Sequence, residues 1–229
     1  MLQLRQYARY ASFFIKYNPV LAACLLIDEM KGEAKYDLHT TGFNKVERSK
    51  LKGPAALDAH PYMPSNYVLL ERLYKKINRF GHNRTFLDIG CGKGRAMLVA
   101  AHFGFKEIYG IEVVESYCSH LQQHINKVAL NYPDASFKVI CSDAAYYEIP
   151  DHMQTIFFYN PFKEVVMSMV LKNIMNSLNR HPRNLFIIYL NPSHIKLFYN
   201  AGFTEIFRTT RFSHLKASIL IHRHSESSV

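Results

Sequence analysis

The stretch Thr85-Phe86-Leu87-Asp88-Ile89-Gly90-Cys91-Gly92-Lys93-Gly94 begins as an apolar run and ends on three glycines at alternate positions. A short run rich in β-branched and aromatic residues reads as a buried strand. The glycines after it allow a tight turn and leave bare backbone where a side chain would block a ligand. A helix-like run, "RAMLVAAHFG" (95–104), follows at once. Strand, glycine turn and helix in direct succession are the start of a βα unit.

The alternation continues outward from that unit. "EIYGIE" (107–112), "FKVICSD" (137–143), "TIFFYN" (155–160) and "NLFIIYLN" (184–191) are further strand-like runs. Between them lie "SYCSHLQQHINKVAL" (116–130), with Leu121, Ile125 and Val128 on one helical face, and "EVVMSMVLKNIMNSL" (164–178), with Val166, Val170, Ile174 and Leu178 on another. Alternating strands and helices mean a parallel sheet covered on both faces. The chain closes with "SHIKLFYNAGF" (193–203), a helix ended by Gly202, and two strands, "TEIFRTTRF" (204–212) and "KASILIHR" (216–223), with no helix between. Two strands joined without a crossover form an antiparallel hairpin. The expected fold is therefore α/β: a doubly wound, mostly parallel, seven-stranded Rossmann-like sheet with an antiparallel terminal hairpin and a helical N-terminal extension.

Upstream of this unit, residues 1–30 read as an amphipathic helical segment broken before Pro19. "LAAC" (21–24) mimics a lipoprotein cleavage box, but "KYNP" (16–19) interrupts the apolar run, which is too short for a secretory core or a membrane span. Residues 31–64 lack periodicity and read as a long loop of the functional or mobile kind. Ser65 is placed to cap the helix "SNYVLLERLYKKI" (65–77), whose inward face is Leu69, Leu73 and Ile77. The expected division is a segment 1–64, serving as lid or as substrate or dimer contact, and a main domain 65–229.

Composition bounds the partners. Of 229 residues, 48% are hydrophobic and 20% charged, with 15 Tyr, 16 Phe and no Trp, so the core is rich in rings. Lys and Arg number 28 against 18 Asp and Glu, a formal charge of +10, which favours an anionic partner such as RNA, an acidic protein or acidic lipid. A basic surface with no nucleic-acid role fits the scattered cations equally well. Cys24, Cys91, Cys118 and Cys141 lie far apart, without C-x-x-C or zinc spacing, and read as free buried thiols of a reducing cytoplasm. The twelve histidines read as single surface or loop residues, so no metal is expected.

In a doubly wound sheet, ligands sit beyond the carboxyl ends of the strands. Here those ends carry Asp88 with the glycine loop, then Glu112, Asp143 and Asn160. D-x-G-x-G-x-G differs from the dinucleotide pattern G-x-G-x-x-G, whose third glycine falls one residue later. Glu112 suits a pair of ribose hydroxyls, and Asp88 disfavours a pyrophosphate but suits an ammonium group. The site prefers an adenosine-like ligand with an ammonium and no phosphate.

This set of ordered strand ends, with "AGF" before a terminal hairpin, resembles the class I S-adenosylmethionine-dependent methyltransferases over roughly residues 60–222. "DIGCGKGRA", "YNPF" and "YLNP" look similar to a group of small bacterial methyltransferases and, more distantly, to single-domain protein-lysine methyltransferases. The resemblance implies S-adenosylmethionine as cofactor. It places Asp88, Gly90, Cys91, Gly92 and Gly94 against the amino-acid and ribose part, Glu112 on the ribose hydroxyls, and Val113 on the adenine face. Asp143 and Ala144 meet the adenine amino group, and Tyr62 and Ser65 of "HPYMPSN" (60–66) close over the methionine end. The amino-methylating members carry D/N-P-P-Y/F where this chain has Asn160-Pro161-Phe162-Lys163, one proline short. Asn160 and the Pro161 carbonyl would accept N–H bonds from an amine, with Phe162 or Tyr159 flanking the methyl. The same residues also read as a cap, with Asn160 at the N-cap and Pro161 as first helical residue. The expected activity is methylation of an amine, in a protein lysine or a nucleobase. A small-molecule acceptor, a nicotinamide-dependent oxidoreductase and a non-catalytic binding module are the alternatives.

Overall fold

The structure is a computed structural model that describes residues 2–16, 18–42, 53–54, 62–159 and 161–224, without the side chains of residues 2 and 3. The N-terminal region forms two helices, α1 (Leu2–Ile15) and α2 (Pro19–Tyr36). Asn18 caps α2, its side chain accepting the Leu21 N–H at 3.0 Å, and Pro19 supplies a first-turn residue that has no N–H to satisfy. The expected break before Pro19 is where the two helices separate. The expected end is not: α2 continues to Tyr36, six residues into the stretch read as loop. Its inward positions include Glu29, Gly32 and Glu33, which hide the apolar period. Gly32 is required there because a Cβ would collide with the Tyr67 ring. Within the rest of that stretch, residues 43–52 and 55–61 lie outside the described residues.

Helix α3 (Tyr67–Ile77) buries Leu69, Leu73 and Ile77 as expected. Its cap is Asn66, which accepts the Leu69 N–H at 3.2 Å, and not Ser65. Then follow β1 (Thr85–Ile89), α4 (Arg95–His102), β2 (Glu107–Glu112), α5 (Glu115–Val128), β3 (Ser136–Cys141), β4 (Thr155–Tyr159), α6 (Glu164–Arg180), β5 (Leu185–Leu190), α7 (Ile195–Asn200), β6 (Thr204–Arg211) and β7 (Leu215–His222). The seven strands form one sheet in the order β3-β2-β1-β4-β5-β7-β6, parallel except where β7 joins β5 and β6.

Side chains alternate across the sheet and fill two cores. Phe86, Phe157, Phe186 and Ile188 face the layer of α3, α4 and α5. Leu87, Ile89, Ile156, Phe158, Ile187 and Tyr189 face that of α6 and α7. β1 sits at the centre and is fully buried, so its C-terminal end opens into the crevice between the neighbouring β2 and β4. Of the four thiols, Cys91 and Cys118 are buried, whereas Cys141 is exposed and Cys24 partly so, because only the first two point into packed layers.

Candidate active site

The turn after β1 is built by the three glycines, all in the left-handed region, with φ of 82° at Gly90, 53° at Gly92 and 79° at Gly94. The N–H groups of Gly90 and Cys91 both donate to the Ile111 carbonyl at 2.9 Å, tying the turn to β2. Each glycine also makes room for a different neighbour. A Cβ on Gly90 would lie 2.7 Å from Pro161, and one on Gly92 would lie 2.7 Å from the Tyr62 ring. A Cβ on Gly94 would strike Leu121 of α5.

Glu112, at the end of β2, turns back over this loop. Its Oε2 accepts the Gly92 N–H at 2.8 Å, and its Oε1 accepts those of Val113 and Val114 at 2.9 Å. Burial raises its pKa, with the three N–H donors working against the rise. The Asp88 carboxyl is pushed well above its usual range by burial and by the Glu112 charge. At the end of β3, Asp143 caps the short turn Ala144–Tyr146 by accepting the Ala145 N–H at 2.9 Å.

These strand ends surround a cavity with about 850 Å³ of empty space, its open mouth included. Among the sequence-selected residues, Asp88, Gly90, Cys91, Gly92, Glu112, Val113, Asp143 and Ala144 line it, as do Tyr62, Ser65, Tyr159, Pro161 and Phe162. Gly94 is not on the wall: its freedom serves the start of α4 and the packing of Leu121. Asn160 lies outside the described residues. Helix α6 begins at Glu164 after Lys163, so the cap reading of Asn160 and Pro161 does not hold. Asn191 of "YLNP" (189–192) takes a left-handed turn, φ 49°, after β5 and is not among the residues that line the cavity.

The far wall carries residues that sequence reasoning missed. Arg95, directly after the glycine loop, is buried and lines the cavity. Its guanidinium grips Glu29 of α2 through Nη1 at 2.8 Å and Nη2 at 2.7 Å, and donates to the Ser65 carbonyl at 2.7 Å. Its Nε donates to Thr40 Oγ1 at 2.7 Å, and the group stacks on the Tyr67 ring at 4.1 Å. Next to it, Glu33 accepts from the N–H groups of Thr40 and Thr41 and from the Tyr7 hydroxyl. Tyr62 closes the near side: its hydroxyl donates to the Thr40 carbonyl at 2.6 Å, and its ring meets Tyr117 at 5.5 Å. The sequence signal for this network was a pair of glutamates four apart, Glu29 and Glu33, on the side of the helix that also carries Ala22, Leu25 and Tyr36.

A strand order of 3-2-1-4-5-7-6, a glycine loop after β1 and a carboxylate ending β2 define a class I methyltransferase fold. Residues 87–180 match the family model described as "Methyltransferase domain". No curated protein matches the chain. Among solved structures, the chain resembles a Haemophilus influenzae protein proposed to be a methylase, with 15% identity over 68% of this chain and 97% of that one, TM-score 0.55. A S-adenosylmethionine-dependent methyltransferase from Aquifex aeolicus matches with 14% identity over 69% and 100%, TM-score 0.50. The glycopeptide N-methyltransferase MtfA, solved with S-adenosylmethionine, matches with 8% identity over 66% and 86%, TM-score 0.53. At these identities the likeness is one of fold.

Proposed function

We propose that this methyltransferase transfers its methyl group to an amine presented at the β4 end of the cavity. The observation that carries this reading is the β4 end of the wall, lined by Tyr159, Pro161 and Phe162, while the cation that lines the cavity, Arg95, is already paired with Glu29. An acceptor there meets aromatic rings and no unpaired cation of the described wall, which disfavours a carboxylate and leaves the Pro161 carbonyl to accept an N–H.

Bound S-adenosylmethionine supplies an electrophilic methyl on a sulfonium, so the protein's task is positioning and exclusion of water. Gly90 and Gly92 leave backbone open to the methionine and ribose part, and Asp88 receives the ammonium. Glu112 faces the ribose. Three of its roughly four lone-pair sites are taken by backbone N–H groups, which leaves one, on Oε2, for a hydroxyl. Val113 packs on the adenine face, with Asp143 and Ala144 at its edge. Tyr62 and Ser65 close the methionine end. Tyr159, Pro161 and Phe162 flank the methyl and the acceptor. Burial raises the Tyr159 phenol to about 12, which keeps it neutral as an aromatic wall.

The test is transfer of labelled methyl from S-adenosylmethionine into fractionated cell extract, with the acceptor atom identified by mass. Methylated amine is the expected product. Label confined to carboxylates or lipid acyl chains overturns the amine reading, and thermal stabilisation by a nicotinamide dinucleotide in place of S-adenosylmethionine overturns the cofactor assignment.

A further inference from the structure

Helix α2 turns an apolar face to solvent. Its core face is Ala22, Leu25, Glu29, Gly32 and Tyr36. At 100° per residue, the face diametrically opposite carries Val20, Ala23, Ile27, Met30 and Ala34, all exposed. Val20 is 72% exposed, Ile27 50% and Met30 51%, values ordinary for surface lysines and not for large aliphatic groups. Helix α1 adds an exposed flank of Leu4, at 72%, and Ile15, at 54%, on the face it shares with Ala8 and Ala11.

The charges of this region are sorted. Its three acids are all engaged by the body of the protein: Asp28 by Arg211, Glu29 by Arg95, and Glu33 by Tyr7, Thr40 and Thr41. Arg5, Arg9 and Lys31 are exposed, and Arg5 and Arg9 run beside the Leu4–Ile15 flank. The outward face of α2 is therefore apolar with Lys31 beside it, and α1 carries an apolar flank with Arg5 and Arg9 beside it; the acids of both helices are engaged elsewhere.

We propose that this face is a docking surface for an anionic lipid bilayer, with α1 and α2 lying flat in the headgroup region. Apolar residues on one face and Lys or Arg beside them are the composition of helices that lie in a membrane interface without crossing it. No described helix is long and apolar enough to cross. A second copy is a poorer occupant, because a two-fold contact through this face would set its cations against their own counterparts. RNA is poorer too, since phosphate binding gains nothing from an exposed row of Val20, Ile27 and Met30.

The experiment is co-sedimentation of the full chain with phosphatidylcholine vesicles made with and without phosphatidylserine. Binding is expected only with phosphatidylserine, and it should weaken with added salt. The triple variant Val20→Ser, Ile27→Ser, Met30→Ser, altered only at exposed positions, should keep its melting temperature and lose the binding. Arg5→Gln, Arg9→Gln and Lys31→Gln should each weaken it roughly fivefold. Failure to pellet with anionic vesicles overturns the proposal, as does unchanged pelleting of the triple variant. A dimer that the triple variant dissociates, without vesicle binding, assigns the face to a second copy instead. These readouts need no methyl acceptor, so they stand or fall apart from the amine reading.

Discussion

Glu112 and Glu29 are both buried carboxylates, the first lining the cavity and the second behind the Arg95 of its wall, yet they are held in opposite ways. Glu112 is fixed by three backbone N–H groups of its own sheet edge, the farthest only 20 residues away. Glu29 is fixed by a guanidinium 66 residues along the chain, on the far side of the glycine loop. The first arrangement is local and leaves an oxygen turned to the cavity. The second is long-range and leaves none: it joins the N-terminal helices to the site through the Arg95 guanidinium, which also lies 3.7 Å from Glu33. The difference separates a carboxylate open to the cavity from one closed within the assembly of the fold.

Arg95→Met tests the assembly side and should have the largest effect. Removing one partner of a buried ion pair typically costs about 3–5 kcal/mol, because the other charge stays buried and uncompensated. The unfolding midpoint in urea should fall accordingly, and the double variant Glu29→Met, Arg95→Met should recover most of the loss. If the double variant is as unstable as the single, the pair is not what holds α2 in place. Glu112→Ala tests the ligand side. Losing a hydrogen bond to a charged acceptor, about 1.5–3 kcal/mol, should weaken S-adenosylmethionine binding by roughly 10- to 100-fold in calorimetry. An unaltered dissociation constant would remove Glu112 from the cofactor site.

The two carboxylates also divide what the sequence made legible. The sheet could be read because its strands alternate with helices along the chain, each with its own period. The end of each strand then lists the crevice, so Asp88, Glu112 and Asp143 could be named without coordinates. Glu29 and Arg95 could not, because nothing local marks two charges that meet across 66 residues. Their inward placement even disguised the helix, since Glu29, Gly32 and Glu33 break the apolar pattern that would have carried α2 to Tyr36. Gly94 misled in the opposite sense. Its motif position suggested a ligand contact, whereas its φ of 79° and the Leu121 side chain explain it through packing.

Gly92→Ala sharpens the local half further. The backbone there has φ 53°, which costs an L-residue about 1–2 kcal/mol, and the new Cβ would press on the Tyr62 ring. Stability should drop by about that amount, and cofactor affinity should fall as the ring shifts. Gly81→Ala is the control. Gly81 has a similar φ of 68° with nothing near its Cβ, so it should lose stability alone and keep affinity. Equal affinity losses in both would mean that backbone strain, and not Tyr62, is responsible.

The smallest effect is one of pH, and there Glu112 contrasts with the second glutamate of the α2 network. Burial raises the pKa of Glu112, so between the ordinary value of 4.5 and its higher folded value the native state binds more protons than the unfolded chain. Its contribution therefore improves as pH falls through that window, and Asp88, raised by burial and by Glu112, moves the same way. Glu33 runs oppositely. Burial alone would raise its pKa, but hydrogen bonds from Thr41 and Tyr7 and the Arg95 charge bring it below 4.5. Its stabilisation is complete above 4.5 and fades as pH drops through the folded value. Each group can change the slope of stability by at most about 1.4 kcal/mol per pH unit. Urea midpoints measured from neutral to acid pH should show wild type gaining on Glu33→Gln as pH rises from the acid limit. Above 4.5, Glu112→Gln should gain on wild type as pH rises. Parallel curves for the two variants would mean that hydrogen bonding and burial are not setting the two glutamates apart.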